Sequence, residues 1–343
     1  KRQALNLARG REDARLLPAW LEDSTASPEP GWLGRTLATR DRRQLVERAG
    51  WLGLAVASAD EDPEVAVPWL VRRRLGSKRE RAAGAARGCR VLDLSGLWAG
   101  PLCAQLLQQA GATVWKLESL ERPDGARRGS KAFFDRLNSG KRCIALPFQA
   151  EGGRRWLERI LGEVDVVIEA SRPRAMAQLG IDTEAWLREA PGRTWLSITG
   201  WGRRPPWSER VAFGDDAAAG AGLAFRVSGA EAEPPMFVGD AIADPLAALH
   251  GAAAVLASWQ QGGGELLELS LVGTVTRVLE SDPQPAPPDL EVFRGQHWLL
   301  DASGARFLLG RPCAPPMAQP ARALGVDNAE AFGGIPRVES AIR

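Results

Sequence analysis

The chain has 343 residues, 45% apolar and 25% charged, which excludes wholesale disorder and collagen- or mucin-like chains and leaves room for two domains or one large α/β unit. A net charge of +2 gives no reason to expect nucleic acid, and with no Tyr and only two His there is little room for Tyr-based or His-pair chemistry. No run reaches the roughly 18 apolar residues of a membrane span. The start lacks an apolar signal core and the four Cys show no CxxC spacing, so the expectation is a cytoplasmic protein with reduced thiols and no metal site.

Residues 1–75 read as helical, through LLPAWLEDS and RRQLVERAGWLGLAVAS. Residues 76–88 (GSKRERAAGAARG) read as a linker or a solvated basic helix. From 89 to 279, strand and helix patterns alternate. CRVLDLS, ATVWKLES, RCIALPF, VDVVIEAS, RTWLSITGWG and ELLELSL are apolar runs suited to buried strands. GPLCAQLLQQAG, EGGRRWLERILGE, AMAQLGIDTEAWLREA and DPLAALHGAAAVLASWQ read as helices. This alternation predicts an α/β fold: an open parallel, Rossmann-like sheet with helices on both faces. Residues 280–343 add a Pro-rich linker (280–290), a hairpin around Ser303-Gly304 and a Pro-rich closing arm.

Ligands of such sheets sit beyond the carboxyl ends of the strands, which singles out the turns after Leu94, Glu118, Glu169 and Ile198. The first turn, SGLWAGPL, has no GxGxxG, but Gly96 and Gly100 let a ligand approach the backbone before a helix. Arg127, Arg128, Lys141 and Arg142 either converge on a phosphate or lie on a solvated surface. In VAFGDDAAAG, Asp215 and Asp216 are N-capping groups or an acid/base pair. In VGDAIADPLAALHG, Asp244 precedes Pro245 and has a ready structural job as a cap. Asp240, on a Gly-flanked turn, has none and suits a nucleophile. His250 is expected to pack rather than react.

Five segments, in order over residues 90–275, resemble the class III CoA-transferase family (CaiB/BaiF type), the group that includes formyl-CoA transferase, carnitine CoA-transferase and α-methylacyl-CoA racemase. They are VLDLSGLWAGPLCAQLLQQAGATVWKLE, LNSGKRCIAL, VDVVIEASRPRAMAQLGI, SITGWGRRPPW, and VGDAIADPLAALHGAAAVLA with GGGELLELSL.

The resemblance implies an enzyme that moves CoA between an acyl-CoA and a carboxylic acid through an aspartyl-CoA thioester, with CoA as its only cofactor and no metal. On the G-D match Asp240 is the favoured nucleophile, and on the I-A-D match it is Asp244. Asp216 takes the position of a family acid near the thioester, and Asp215 the place where the racemases carry His. Gly96, Leu97, Trp98, Ala99, Asn138, Arg142, Ala170 and Ser171 fall on CoA-contacting positions. The resemblance further implies a cytoplasmic homodimer without nucleic-acid or membrane partners. The first residues resemble the tail of the family's small domain, as in a permuted or fused-and-trimmed relative. The alternatives are a racemase-type enzyme, disfavoured by GDD in place of the racemases' GHD, and a non-catalytic acyl-CoA-binding relative.

Overall fold

Apolar side chains alternate strictly between two cores in the central strands of the computed structural model, as expected of a sheet covered on both faces. The structure describes residues 5–7, 13–59, 61, 66–81, 86–228, 236–281, 289–300, 303–310, 317 and 319–330. The remainder of the predicted linkers (82–85, 282–288) and most of the predicted Pro-rich arm (311–316, 318) lie outside the described residues.

The chain opens with β1 (Leu5–Leu7), α1 (Leu17–Leu21), α2 (Pro30–Ala38), α3 (Arg42–Leu52) and β2 (Val56–Ser58). The central layers follow as β3 (Leu70–Arg74), β4 (Arg90–Asp93), α4 (Ala99–Gln109), β5 (Thr113–Ser119), α5 (Lys131–Asn138), β6 (Arg142–Leu146) and α6 (Glu151–Glu163). Next come β7 (Val166–Glu169), α7 (Pro173–Gln178), α8 (Thr183–Glu189), β8 (Thr194–Thr199), α9 (Gly214–Gly220) and α10 (Leu223–Ser228). The rest is α11 (Ala243–Gln260), β9 (Glu265–Ser270), α12 (Leu271–Ser281) and a meander of β10 (Asp289–Phe293), β11 (Gln296–Leu300) and β12 (Arg306–Leu308).

Seven strands form the main sheet in the order β3-β9-β8-β7-β4-β5-β6. All neighbours are parallel except β3, which runs antiparallel to β9. The order reverses between β4 and β7, so a crevice opens there beyond the strand carboxyl ends. Val91, Val166, Ile168, Leu196, Ile198, Leu267 and Leu269 face one core with α4 and α11. Their chain neighbours Leu92, Val167, Trp195 and Leu266 face the other, with α6 and α8. Each such side chain, fully buried, contributes about 1.5–3 kcal/mol.

Helix α11 lies flat on the first core because its inner face is small: a Cβ at Gly251 would stand 3.1 Å from Leu196 Cδ2 and 3.3 Å from Cys103 Sγ. His250, on the same helix, accepts the Trp69 indole N–H at Nδ1 (2.9 Å) and is a packing residue, as expected. The residues 13–59 bury their own cluster around Trp20, whose indole donates to the Leu45 carbonyl at 2.8 Å. At the far edge, Asp327 Oδ2 accepts the Cys143 N–H at 2.7 Å, and the Asn328 amide bonds both Ala145 N (3.0 Å) and Ala145 O (2.9 Å), so the edge strand β6 is covered.

One boundary differs from the sequence reading. Residues 70–74, grouped there with the helical segment, form β3, and the segment after it is bonded to the sheet's lower rim through Arg79 N to Gly262 O (2.8 Å) and Gly192 N to Ser77 O (2.8 Å).

Candidate active site

Three turns beyond the carboxyl ends of β4, β7 and β8 and the start of α11 enclose a cavity of about 290 Å³. The first turn, Ser95–Trp98, is held from below by buried charges. Lys116 Nζ pairs with Asp124 Oδ2 at 2.9 Å and donates to the Ser95 carbonyl at 3.0 Å. Asp124 Oδ1 accepts the Leu97 N–H at 3.0 Å, which fixes Leu97 in a left-handed conformation (φ 65°) that a non-glycine residue holds only when its surroundings demand it. Behind them Lys141 Nζ pairs with Asp93 Oδ2 at 2.8 Å, with both side chains fully enclosed. Burial opposes the charge on Asp93 and Asp124, but the ammonium groups of Lys141 and Lys116 outweigh it and hold both carboxyls below the usual range.

The second turn is set by Glu169, which is fully buried. Its carboxylate accepts from Ser171 N (2.9 Å), Ser171 Oγ (2.6 Å), Ser197 Oγ (2.5 Å) and Arg203 Nη1 (3.1 Å). The third turn brings two backbones together at Gly200, where a Cβ would stand 2.6 Å from Ala212 N. Arg210 lines the cavity from this side. Its guanidinium lies 3.4 Å from the Trp201 ring centre and pairs with Glu61 (Nη2–Oε2 2.7 Å).

Asp244 reaches the cavity from the first turn of α11. It caps no residue of its own helix. The backbone N–H groups of Ala99 and Gly214, the first residues of α4 and α9, instead lie near its carboxyl and favour the ionised form. Two helix N-termini therefore meet on one carboxyl. Burial is the largest influence and pushes this carboxyl up to about 7, the two N–H groups work against it, and the negative charges of Asp215 and Asp240 add to it. Gly214 is required by space: a Cβ there would collide with the Ala241 carbonyl oxygen and with the Asp244 carboxylate.

The cavity brings together Gly96, Leu97, Ala99, Ala170, Ser171 and Asp244 of the sequence candidates. Asp240 is exposed on the turn before α11 and does not line it. Asp215 stands beside it, its Oδ1 accepting the Ala241 N–H at 2.9 Å. Asp216 is wholly buried behind the cavity, where Oδ1 accepts the Phe213 N–H at 2.7 Å and burial pushes the carboxyl up to about 7. Trp98 packs edge-on against Phe133. Asn138 Oδ1 accepts from Lys141, and its amide donates to the Phe134 carbonyl, so it is spent on the buried network. Arg142 opens β6 and lies at the amino end of the sheet, over the Trp115 ring.

Of the basic run, Arg127 is paired to Glu118 at 2.6 Å rather than offered to a ligand. The sequence reading missed Arg172, Ser208 and Arg210. Arg172 was within reach, since it follows the turn after Glu169. Nothing local marks Arg210, whose partner Glu61 is 149 residues away. Among the described residues no group of His, Cys, Asp and Glu is arranged to hold a metal, and no helix is long and apolar enough to cross a membrane.

The chain is similar to known proteins. The model of CoA-transferase family III matches residues 87–292, and the chain belongs to that family. It is 32% identical over 215 residues to an acyl-CoA transferase of Fusarium pseudograminearum, covering 57% of this chain and 47% of the other. It is 29% identical over 203 residues to the succinyl-CoA–D-citramalate CoA-transferase of Chloroflexus aurantiacus, covering 56% and 50%. A CAIB/BAIF family protein from Brucella suis superposes with a TM-score of 0.55 at 26% identity, over 64% of this chain and 66% of that one. The chain thus spans about half the length of the curated relatives it matches.

Proposed function

We propose that this protein is a CoA-transferase that passes CoA from an acyl-CoA to a carboxylic acid through a covalent intermediate on Asp244. The observation that carries it is the position of the Asp244 carboxyl, on the cavity and under the N–H groups of Ala99 and Gly214. Asp240, the other candidate, is exposed outside the cavity.

The Asp244 carboxylate attacks the thioester carbonyl of the donor, the C–S bond breaks, and CoA thiolate leaves a mixed anhydride. The thiolate then attacks the Asp244 acyl carbon and releases the donor acid, leaving aspartyl-CoA. The acceptor carboxylate attacks that thioester and frees the thiolate again. The thiolate takes the acceptor's acyl carbon, giving the new acyl-CoA and restoring Asp244. The N–H groups of Ala99 and Gly214 near the Asp244 carboxyl stabilise each tetrahedral oxyanion on its carbon. Asp215 positions the turn, and Asp216 holds the N-terminus of α9.

In the test, Asp244→Asn and Asp240→Asn are assayed for CoA transfer over a panel of acyl-CoAs. Asp244→Asn abolishes transfer and Asp240→Asn keeps it within about threefold. The reverse pattern moves the nucleophile to Asp240. The same function carries the expectation of a cytoplasmic homodimer, which a monomer in analytical sedimentation would contradict.

A further inference from the structure

We infer that Asp124 is a positioning residue for the reaction at Asp244: by locking Leu97 in its left-handed conformation, it keeps the Ala99 N–H beside the Asp244 carboxyl. This rests on the proposed CoA transfer and assigns to it a residue that does not itself line the cavity.

The sequence leaves the donor free. Trp98 is the N-cap of α4 and has no side-chain acceptor, so the first N–H groups of the helix stay open to other partners. Ala99 is the first of them and lies near the Asp244 carboxyl. Where that N–H points depends on the reversal of the chain two residues earlier, at Leu97. Leu97 stands at φ 65°, where its own Cβ crowds the backbone, and it holds that conformation only under outside constraint. Its side chain is 45% exposed, so packing constrains it little. The constraint is polar: Asp124 Oδ1 accepts the Leu97 N–H at 3.0 Å.

Asp124 is buried and is itself held in place. Its Oδ1 also accepts the Ala126 N–H at 2.9 Å, its Oδ2 pairs with the buried Lys116 Nζ at 2.9 Å, and its own N–H donates to Glu118 Oε2 at 2.9 Å. Lys116 ties the same unit to the start of the turn through the Ser95 carbonyl at 3.0 Å. Gly96 allows the close approach, since a Cβ there would stand 3.3 Å from Asp124 Oδ1. The ion pair alone would satisfy Lys116. The bond to Leu97 is what connects it to the reacting carboxyl, by way of a strained residue and the N–H that follows it.

The test is a double-mutant cycle on turnover. Asp124→Ala is made in the parent and in Leu97→Gly, because glycine adopts φ 65° without strain and does not need the lock. Asp124→Ala is expected to lower kcat by about tenfold or more in the parent and by no more than about threefold in Leu97→Gly, with KM within about threefold in both pairs. Asp124→Asn keeps an oxygen for the Leu97 N–H and recovers part of the loss. Should Asp124→Ala fail to fold, Lys116→Met/Asp124→Ala takes its place in the cycle, since the stranded ammonium leaves with its partner. An equal fall of kcat in both backgrounds is the result for a merely structural ion pair and overturns the inference. So does a loss confined to KM, or no loss.

Crystal structures of the parent and of the same Asp124 variant keep the two claims apart. If no acyl-CoA supports transfer in the parent but Leu97 leaves the left-handed region once the Asp124 carboxylate is gone, the lock stands and the transferase function falls. If Leu97 and the Ala99 N–H keep their places without that carboxylate, the positioning role falls whatever the kinetics give.

Discussion

Asp215 Oδ1 accepts the Ala241 N–H at 2.9 Å, and through this bond the first turn of α9 holds the turn that delivers Asp244. Ala241 is left-handed (φ 46°), a conformation costly for any residue with a Cβ, and its carbonyl accepts the Asp244 N–H at 2.9 Å. The same carboxylate therefore fixes the backbone of Asp244, and its charge adds to the upward shift that burial gives the Asp244 carboxyl.

The two roles separate in two variants. Asp215→Asn keeps an oxygen for the Ala241 N–H and removes the charge. The pH–rate profile of the proposed CoA transfer is expected to rise through about 7 as Asp244 ionises, and in Asp215→Asn that limb moves to lower pH. Asp215→Ala loses the bond as well, so turnover falls about tenfold or more at every pH. Steady-state kinetics from pH 5 to 9 distinguish the two, and coincident profiles would remove Asp215 from the site.

Asp216 makes a prediction about stability. Burial holds its carboxyl up at about 7, against 3.8 for the free group, so between these values the native state binds more protons than the unfolded chain. Stability from this group is complete below about pH 4 and is lost as pH rises through 7. Asp216→Asn retains an acceptor for the Phe213 N–H and does not ionise. It is expected to be more stable than the parent at pH 8, on the order of 1–3 kcal/mol, and no more stable at pH 4. Urea denaturation at the two pH values measures the difference.

Gly214 tests close packing at Asp244. A methyl group there has nowhere to go but into the Ala241 carbonyl and the Asp244 carboxylate. Gly214→Ala is expected to cost about 1–3 kcal/mol of stability and to remove transfer even at temperatures where the fold persists. Thermal unfolding beside an activity assay checks both parts.

The ion pair of Lys141 with Asp93 is the deepest polar contact beneath the first turn. Lys141→Met leaves the Asp93 carboxylate enclosed without the ammonium it is paired with and is expected to cost about 3–5 kcal/mol. Adding Asp93→Asn recovers part of that loss, because the stranded charge goes with it. A double-mutant cycle by urea denaturation gives the coupling.

The six parallel strands were legible because each is a short apolar run buried on both faces, with residues such as Val166–Ile168 pointing alternately into two cores. β3 was not, since an edge strand of sequence LVRRR has no such run. Its arginines are paired across the edge, Arg72 and Arg74 with Glu265 and Arg73 with Glu184, which only the fold brings near. The turn at Gly96–Ala99 and the Ala170–Ser171 pair were readable from the rule that ligands gather at strand carboxyl ends. Asn138 was drawn from the resemblance, and Arg142 from the resemblance and the basic run around it; the side on which β6 begins places Arg142 away from the cavity. Asp240 was favoured over Asp244 by the G-D match and by a capping role open to Asp244. Pro245 suggested that Asp244 was occupied as a cap, whereas α11 starts at Ala243 and the carboxyl lies near the N-terminal N–H groups of two other helices. That contact joins segments far apart in the chain, and no local pattern records it.

The most direct test of the account is to trap the covalent intermediate. The protein is incubated with succinyl-CoA and quenched with hydroxylamine, and the peptide carrying Asp240 and Asp244 is fragmented by mass spectrometry. A hydroxamate on Asp244 is the predicted result. A hydroxamate on Asp240, or an unmodified peptide under conditions where CoA is being transferred, would contradict it.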